Sequence, residues 1–200
     1  MAIPFGRVTA EIEGHEVAEA HASFETFFEQ THQRLFGGLC LVTGRHVMIN
    51  ITTVVNLVRH GWRDHSWADL PVGPSVDDLA AALADLAPFR VTSPPADVTI
   101  DGYRGTFLEL TVPDLPVKGE GDDRRFARCA EGTLKSWVSA IDTEPGDAFY
   151  GYSEPGHTED FWILDVDGTR LMIEANWSPA SPRKDVAEMQ AILDSIRIEP

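Results

Sequence analysis

The chain has few cysteines. Cys40 and Cys129 are the two among its 200 residues, and they do not form a Cys-x-x-Cys pair. A disulfide-stapled scaffold is therefore excluded, and in a reducing compartment both residues are expected to be free thiols. The chain does not need such staples, because its length and its 43% hydrophobic content are enough for a sizeable core.

Basic residues are scarce compared with acidic ones. The 16 Lys and Arg residues face 32 Asp and Glu residues, for a formal net charge of −16. The imbalance is concentrated in residues 69–200, which carry −14, whereas residues 1–68 carry −2. Such a surface repels phosphate, so we expect no direct DNA binding by the acidic part of the chain. The acidity is best interpreted as a means of staying soluble.

Long apolar runs are also missing. The longest apolar stretch, Val47–Val58, is interrupted by Asn50, Thr52, Thr53 and Asn56 and is too short to cross a bilayer. The first residues show no hydrophobic signal segment and include early acids. We therefore expect a cytoplasmic protein without a membrane partner.

The first recognisable element is a helix pattern. Residues 1–21 are polar and are expected to form a loose lead-in. Ser23 is a plausible N-cap, and Gly44 ends the pattern. Apolar residues between them recur at helical spacing: Phe24, Phe27, Phe28, Leu35, Leu39 and Val42.

Strand and helix signals alternate after this pattern. Val47–Val58 is rich in Val, Ile and Thr and predicts a strand, followed by a loop over His60–Pro74. Ser75 then caps a predicted helix that carries acids in its first turn. The buried face of this helix is predicted to consist of Leu79, Leu83 and Leu86.

Two Asp-Gly pairs predict two β-hairpins, one turning at Asp101 and the other at Asp167. Charged or Gly-rich loops are expected over Pro113–Arg128 and Thr143–Thr158, with a short strand around Trp137. In the second hairpin Ile163, Leu171 and Ile173 alternate with polar residues.

Ser181-Pro182 predicts the start of a last helix, and "IRIE" predicts an edge strand. The buried residues of that helix are predicted to be Met189, Ile192 and Leu193.

This order predicts an α+β fold, in which an antiparallel sheet with two packed helices is preceded by an N-terminal helix. The predicted domains are 1–45, a lead-in with one helix, and 46–200, an α+β domain.

Residues 24–44, "FETFFEQTHQRLFGGLCLVTG", resemble the start of region 2 of extracytoplasmic-function sigma-70 factors. The resemblance implies a helix that contacts core RNA polymerase, with contact residues Phe24, Phe27, Phe28, Arg34 and Leu35. It stops at Gly44, and the promoter-melting segment and the helix-turn-helix of the family have no counterpart here. No DNA-reading residue is therefore carried over.

Residues 48–200 resemble an actinobacterial sensor-like domain associated with sigma factors, through "LPVGPSVDDLAAAL", "DVTIDGYRGTFLELTVP", "FWILDVDGTRL" and "ILDSIRIEP". The resemblance implies a Mog1/PsbP-like sandwich and brings no established activity. The resemblance also implies a cysteine near His60-Gly61 that can pair with one at the position of Cys129. Since this chain has Gly61 and Trp62 there, the bridge is expected to be lost. The two resemblances together suggest a fusion, or a decayed or frameshifted sigma gene.

The metal-ligand patterns are weak. His60, Asp64 and His65 share a loop but do not make a convincing set of three convergent ligands. Asp165–Gly168 resembles the start of a calcium loop, but the twelfth position is Asn176 instead of glutamate, so a hairpin turn is favoured. We expect no metal and no cofactor.

Nucleophile patterns are weak as well. Ser136 and Ser153 lack a nucleophile-elbow motif. Cys129 has arginines nearby that would lower its pKa, but an ordinary thiol is the favoured interpretation. No catalytic residue is predicted, and the chain is expected not to be an enzyme.

Aromatic residues offer a candidate binding groove. Trp137, Tyr152, Trp162 and Trp177 have the apolar body and polar edge that suit such grooves, although placement in the sheet core is the favoured alternative. The sequence as a whole predicts a non-enzymatic regulatory or binding module whose partner is a protein or a small ligand. An active sigma-type initiation factor that binds core RNA polymerase is the alternative, and a hydrolase with an unrecognised site is a third.

Overall fold

The computed structural model describes residues 7–9, 38–42, 47–63, 70–120, 123–139 and 149–199. Two α-helices and fourteen β-strands lie in these ranges. In chain order they are β1 Arg7–Thr9, β2 Gly38–Val42, β3 Val47–Thr52, β4 Val54–Leu57, β5 Leu70–Pro71, α1 Val76–Ala84, β6 Arg90–Ile100, β7 Tyr103–Thr111, β8 Val117–Lys118, β9 Arg125–Phe126, β10 Leu134–Ser139, β11 Phe149–Tyr152, β12 Thr158–Val166, β13 Thr169–Trp177, α2 Arg183–Asp194 and β14 Arg197–Glu199.

Two antiparallel sheets dominate the structure. The six-stranded sheet has the order β2-β3-β13-β12-β7-β6, and the four-stranded sheet has the order β11-β10-β4-β5. Two smaller ribbons pair β1 with β14 and β8 with β9. The α+β class with antiparallel sheets and two helices is confirmed, although strands make up more of the chain than predicted.

Both predicted hairpins are present. β6 pairs with β7 and β12 pairs with β13, and each pair is joined by an Asp-Gly turn. In both turns the Asp and the Gly have positive φ, 48° and 88° at Asp101-Gly102 and 51° and 83° at Asp167-Gly168. This is the conformation of a type I′ turn, whose twist matches that of the flanking strands.

Helix α1 begins as predicted. The Ser75 hydroxyl accepts a hydrogen bond from the Asp78 backbone N–H, and the Asp78 carboxylate accepts one from Ser75 N–H, which forms a capping box. Leu79, Leu83 and Leu86 are buried, so the predicted apolar face is confirmed.

Helix α2 begins one residue later than predicted. Its N-cap is Pro182, and Ser181 instead accepts a hydrogen bond from Ser178 N–H at 2.9 Å. The Ser181 hydroxyl is therefore used in the preceding turn. The predicted apolar face of Met189, Ile192 and Leu193 is buried, as expected.

The six-stranded sheet is covered on both faces. One core packs α2 and Ile196–Ile198 against one face, and a second core packs α1, β4 and β10 against the other. Leu171–Asn176 of β13 are consequently all buried. Glu174 and Asn176, the polar residues that alternate with apolar ones here, are therefore buried as well, because neither face of this part of the strand meets water.

The predicted strand over Val47–Val58 is two strands. β3 ends at Thr52 in the six-stranded sheet, and β4 starts at Val54 in the four-stranded sheet. The chain therefore crosses from one sheet to the other at Thr53. Short strands also occur inside the predicted loops: β5, β8, β9 and β11.

The N-terminal predictions need correction where the structure describes them. Residues 38–42 are strand β2, paired with β3, so a helix that continues to Gly44 is wrong there. Pairing with the edge of β3 satisfies the backbone groups of a segment whose helix pattern Gly37-Gly38 already weakens. Residues 7–9 of the predicted lead-in form β1. The helical stretch from Ser23 to Gly37 lies outside the described residues. The domain boundary at residue 45 stays a prediction, although β1 and β2 pair with strands beyond it.

The close approach of β7 and β12 gives a stability prediction. A Cβ atom at Gly105 would lie 2.0 Å from the carbonyl oxygen of Ile163, whereas one at Gly168 would meet nothing within 4 Å. We expect Gly105→Ala to lower the free energy of unfolding in urea by about 3 kcal/mol, because the strands must move apart. Gly168→Ala is the control, because it places a Cβ atom at a residue of positive φ without any close contact. It should lower the free energy of unfolding by about 1–2 kcal/mol. An equal or smaller loss at Gly105 would contradict this packing.

Candidate functional site

A group of polar side chains lies buried between the six-stranded sheet and β11. We call it the inter-sheet polar cluster. Its members are Asn50 on β3, Glu159 on β12, Glu174 and Asn176 on β13, and Tyr150 and Tyr152 on β11. Glu159 and Glu174 are both 0% exposed, and only Tyr150 is more than slightly exposed. Charged residues are almost never fully buried unless they are paired, so this cluster is unusual.

Strand register brings the members together. Glu159 is directly opposite Asn176, and Glu174 is directly opposite Asn50 on the other side of β13. Side chains of directly opposed residues share a face of the sheet, so Glu159 and Glu174 are diagonal neighbours on the face toward the four-stranded sheet.

Glu174 is the hydrogen-bond centre of the cluster. Its Oε1 accepts from Asn176 Nδ2 at 2.7 Å and from the Tyr152 hydroxyl at 3.3 Å, and its Oε2 accepts from Asn50 Nδ2. The Tyr150 hydroxyl donates to Asn50 Oδ1. The two tyrosines therefore tie β11 to the six-stranded sheet through Glu174 and Asn50.

Glu159 lacks this support. Both of its carboxyl oxygens are buried, and neither has a hydrogen-bond partner of acceptable geometry. Burial, followed by the charge of Glu174, raises the pKa of Glu159 well above its ordinary value, and the nearby Tyr152 hydroxyl offsets this only in part. Burial thus favours the protonated form of Glu159 over the charged form.

The pKa of Glu174 is shifted in the same direction. Burial raises the pKa of Glu174 to about 7, against the lowering effect of hydrogen bonds from Asn50, Asn176 and Tyr152. The pKa of Tyr152 is well above its ordinary value because of burial and the two carboxyl groups. The cluster thus contains two carboxyl groups whose pKa values are both raised by burial.

Trp137 borders the cluster. It is 0% exposed, and its ring stacks on that of Tyr150 with a centroid distance of 3.7 Å and an interplanar angle of 11°. The indole Nε1 is buried without a hydrogen-bond partner. A buried indole N–H usually finds an acceptor, so Trp137 and Glu159 together leave three polar atoms without partners beside an otherwise bonded cluster.

The four residues of the predicted aromatic groove do not line one surface. Trp137 and Tyr152 lie on the cluster side of the six-stranded sheet. Trp162 and Trp177 lie on the other face, partly buried against the core that includes α2. Ligand binding by any of the four stays a prediction.

A second carboxyl pair lies on that other face. Asp160 is directly opposite Glu109 and is 7% exposed. Burial, followed by the charge of Glu109 and a hydrogen bond with it, raises the pKa of Asp160 to about 7. Asp160 therefore titrates in the same range as Glu174.

An open groove beside the start of α1 has mixed charge. Arg104 and Arg170 line it together with Asp77, Asp97 and Asp165. The Arg170 guanidinium donates to the carbonyl oxygens of Gly73, Ser75 and Val54, so it fastens β13 to the chain before α1. These bonds give Arg170 a structural role.

The metal-ligand and polymerase-contact residues predicted from the sequence form no site where the structure describes them. His60 is described but Asp64 and His65 are not, and the described residues contain no group of three metal ligands. Asp165–Gly168 is the hairpin turn, with Asp165 Oδ1 accepting from Gly168 N–H at 2.7 Å. The predicted polymerase-contact residues, Phe24, Phe27, Phe28, Arg34 and Leu35, lie outside the described residues.

Of the nucleophile candidates, Ser136 is hydrogen-bonded within the protein and Cys129 is buried. The Ser136 hydroxyl donates to the Tyr150 carbonyl at 3.2 Å, and Ser153 is half-buried. Cys129 is a buried free thiol, and burial raises its pKa instead of lowering it. A raised pKa makes this thiol less reactive.

Sequence reasoning missed the acidic and amide members of the cluster. Their signal is a polar residue at every second position of an otherwise apolar strand, as in Glu174 and Asn176 of "LMIEANW". That pattern ordinarily indicates a solvent-facing side, and only the second sheet turns it into a buried polar layer.

No protein-family model matches this chain, and no curated protein matches it. In the part of the chain that the structure describes, no helix is long and apolar enough to cross a membrane.

The buried acids predict a stability that depends on pH. Glu174 has a folded pKa of about 7 against an ordinary value of 4.5, so its proton is held more tightly in the folded state. The contribution of Glu174 to the free energy of unfolding is fully present below about pH 4.5. It is lost as the pH rises toward 7, by up to about 1.4 kcal/mol per pH unit. Glu159 acts in the same direction, and Asp160 does so as well.

Glu159→Gln isolates one of these contributions. We expect the variant to be more stable than the parent at pH 8 and to lose less stability between pH 5 and pH 8, as measured by urea unfolding. Asp160 and Glu174 remain in both proteins, so the difference reports on Glu159. Glu120→Gln, at an exposed acid, is the matched control. Identical pH profiles for parent and Glu159→Gln would contradict a protonated buried Glu159.

Proposed function

We propose that the chain is a non-enzymatic binding module that holds a small polar ligand at the inter-sheet polar cluster. The observation that supports this most directly is the set of fully buried polar atoms without partners, Oε1 and Oε2 of Glu159 and Nε1 of Trp137. Buried polar groups in folded proteins are nearly always hydrogen-bonded. Ligand sites combine apolar and aromatic walls with a few fixed polar groups, as this cluster does.

The hydrogen bonds of the cluster favour binding over catalysis. Glu174 accepts three hydrogen bonds from the protein itself, so its lone pairs are largely committed. A general base needs a carboxylate that can reach a substrate proton. Glu174 is better suited to holding the cluster in shape, and Glu159 to contacting the ligand.

Access to the cluster is proposed to be at strand β11. This strand is at one edge of the four-stranded sheet, and its Tyr150 is the most exposed member of the cluster. Movement of an edge strand breaks fewer ladder hydrogen bonds than movement of a central one.

The regulatory part of the proposal comes from the two resemblances. A role in sigma-factor regulation is supported only by the likeness of residues 24–44 and 48–200, and so is a Mog1/PsbP-like sandwich. The net charge of −16 supports a partner other than DNA. A cytoplasmic location is supported by Cys129, which is a free thiol.

Ligand binding can be tested at Trp137. Its indole N–H gives one of five tryptophan side-chain signals in a ¹H–¹⁵N NMR spectrum, assigned by Trp137→Phe. We expect glucose, n-butylammonium or butyrate, representing polyols, cations and anions, to shift this signal in a saturable way. Glu159→Gln should weaken the response, and Glu120→Gln should not. The proposal fails if none of the three compounds moves the Trp137 signal.

The alternative, an active sigma-type factor, is testable by pull-down of core RNA polymerase. The resemblance puts the contact at Phe27 and Phe28, so the full chain is compared with a Phe27→Ala/Phe28→Ala double variant. We expect no retention by either protein, because residues 38–42 of the matched stretch belong to the sheet. Retention by the parent chain and loss in the double variant would favour the alternative.

A further inference from the structure

We infer that the ligand of the inter-sheet polar cluster is an organic cation, a primary ammonium or guanidinium group whose N–H donors bind the two carboxyl oxygens of Glu159. This inference rests on the proposed function and names the class of ligand for the same site. It follows from an inventory of the hydrogen-bond donors, the charges and the metal-ligating groups in the cluster.

The inventory of donors shows what the cluster lacks. The side-chain donors Asn50 Nδ2, Asn176 Nδ2 and the Tyr152 hydroxyl all donate to Glu174. The Tyr150 hydroxyl donates to Asn50 Oδ1. Neither oxygen of Glu159 has a hydrogen-bond partner of acceptable geometry, and the Trp137 indole N–H, an unpartnered donor at the border of the cluster, does not donate to them. A ligand that completes the cluster must therefore bring donors, and an ammonium or guanidinium group brings several.

The inventory of charges selects a positive ligand. Glu159 and Glu174 interact unfavourably, and no basic side chain is among the causes of either pKa shift. The other titratable groups around the cluster are Tyr150, Tyr152 and His157, whose ring centroid lies 5.2 Å from that of Tyr152. A neutral polyol would supply donors alone, whereas a cation supplies donors and also offsets the repulsion that arises when both carboxyl groups are ionised. An anion would add repulsion.

The cluster offers too few metal-coordinating side chains for a metal ion. It offers two carboxyl groups, and the described residues contain no group of three or more metal-ligating His, Cys, Asp or Glu side chains. A divalent ion in a protein site usually takes at least four ligands. The aromatic wall of Trp137 stacked on Tyr150 instead suits an organic cation, which aromatic rings attract through their negative faces.

Binding of such a cation must release protons. In the free protein burial favours the protonated form of Glu159. When the ammonium group binds, the carboxyl O–H bond breaks, its electron pair stays on the carboxylate, and the proton passes to the buffer while the ligand keeps its charge. Affinity therefore rises with pH, by up to about tenfold per pH unit for each proton released.

The test is isothermal titration of the full chain with n-butylammonium and with its neutral counterpart butan-1-ol, at pH 6 and pH 8. Each titration is repeated in two buffers of different ionisation enthalpy, which counts the protons released. We expect the ammonium to bind more tightly at pH 8 than at pH 6, with net proton release, and more tightly than the alcohol. Glu159→Gln should weaken ammonium binding by about 10- to 100-fold, the range for hydrogen bonds to charged groups. Glu120→Gln should bind like the parent.

The outcomes separate this inference from the proposed function. If the alcohol or glucose shifts the Trp137 signal as strongly as the ammonium does, the site stands and the cation inference is wrong. If none of these compounds, butyrate included, moves that signal, both are wrong. If the ammonium binds Glu159→Gln as tightly as the parent, it binds the acidic surface and the inference is wrong. Urea unfolding of the variant establishes that it is folded in each case.

Discussion

Burial of both faces of the central hairpin β12–β13 is the constraint on which the rest of the structure depends. β13 lies between β3 and β12 in the six-stranded sheet, α2 covers one face of this sheet, and α1 with β4 and β10 covers the other. An antiparallel strand with one wet face can alternate apolar and polar residues at little cost. β13 has no wet face, so every polar side chain on it must find a partner inside the protein.

The inter-sheet polar cluster is the consequence of that constraint. Glu174 satisfies it with three donors from three different strands, β3, β11 and β13. These hydrogen bonds also set how β11 sits against the six-stranded sheet, because both tyrosines reach across the gap. Glu159, on the neighbouring strand of the same hairpin, does not satisfy the constraint, since neither of its oxygens has a partner and burial favours its protonated form. A polar layer with unmade hydrogen bonds lowers the stability of a core. A ligand that makes those hydrogen bonds would gain binding free energy from them.

Locally encoded elements were predictable from the sequence because their causes lie within a few residues. The Asp101-Gly102 and Asp167-Gly168 turns depend on positive φ, and the start of α1 depends on Ser75 and Asp78. The apolar faces of both helices could be identified from their spacing. The predictions failed where a distant strand decides the outcome. Residues 38–42 carry a helical spacing yet pair with β3, and Thr53 is a crossing point because β3 and β4 belong to different sheets.

The candidate site shows the same division. The sequence by itself determined that the chain is acidic, forms an α+β fold and has turns and helix caps at definite positions, since these follow from composition and short-range chemistry. It also pointed to Trp137, which borders the cluster, and to Tyr152, which belongs to it. Only the tertiary structure decided that Glu159 and Glu174 are buried, diagonal neighbours and unequally bonded. A polar residue at every second position of a strand predicts a wet face, and whether a second sheet covers that face depends on contacts more than a hundred residues apart, such as Asn50 with Glu174.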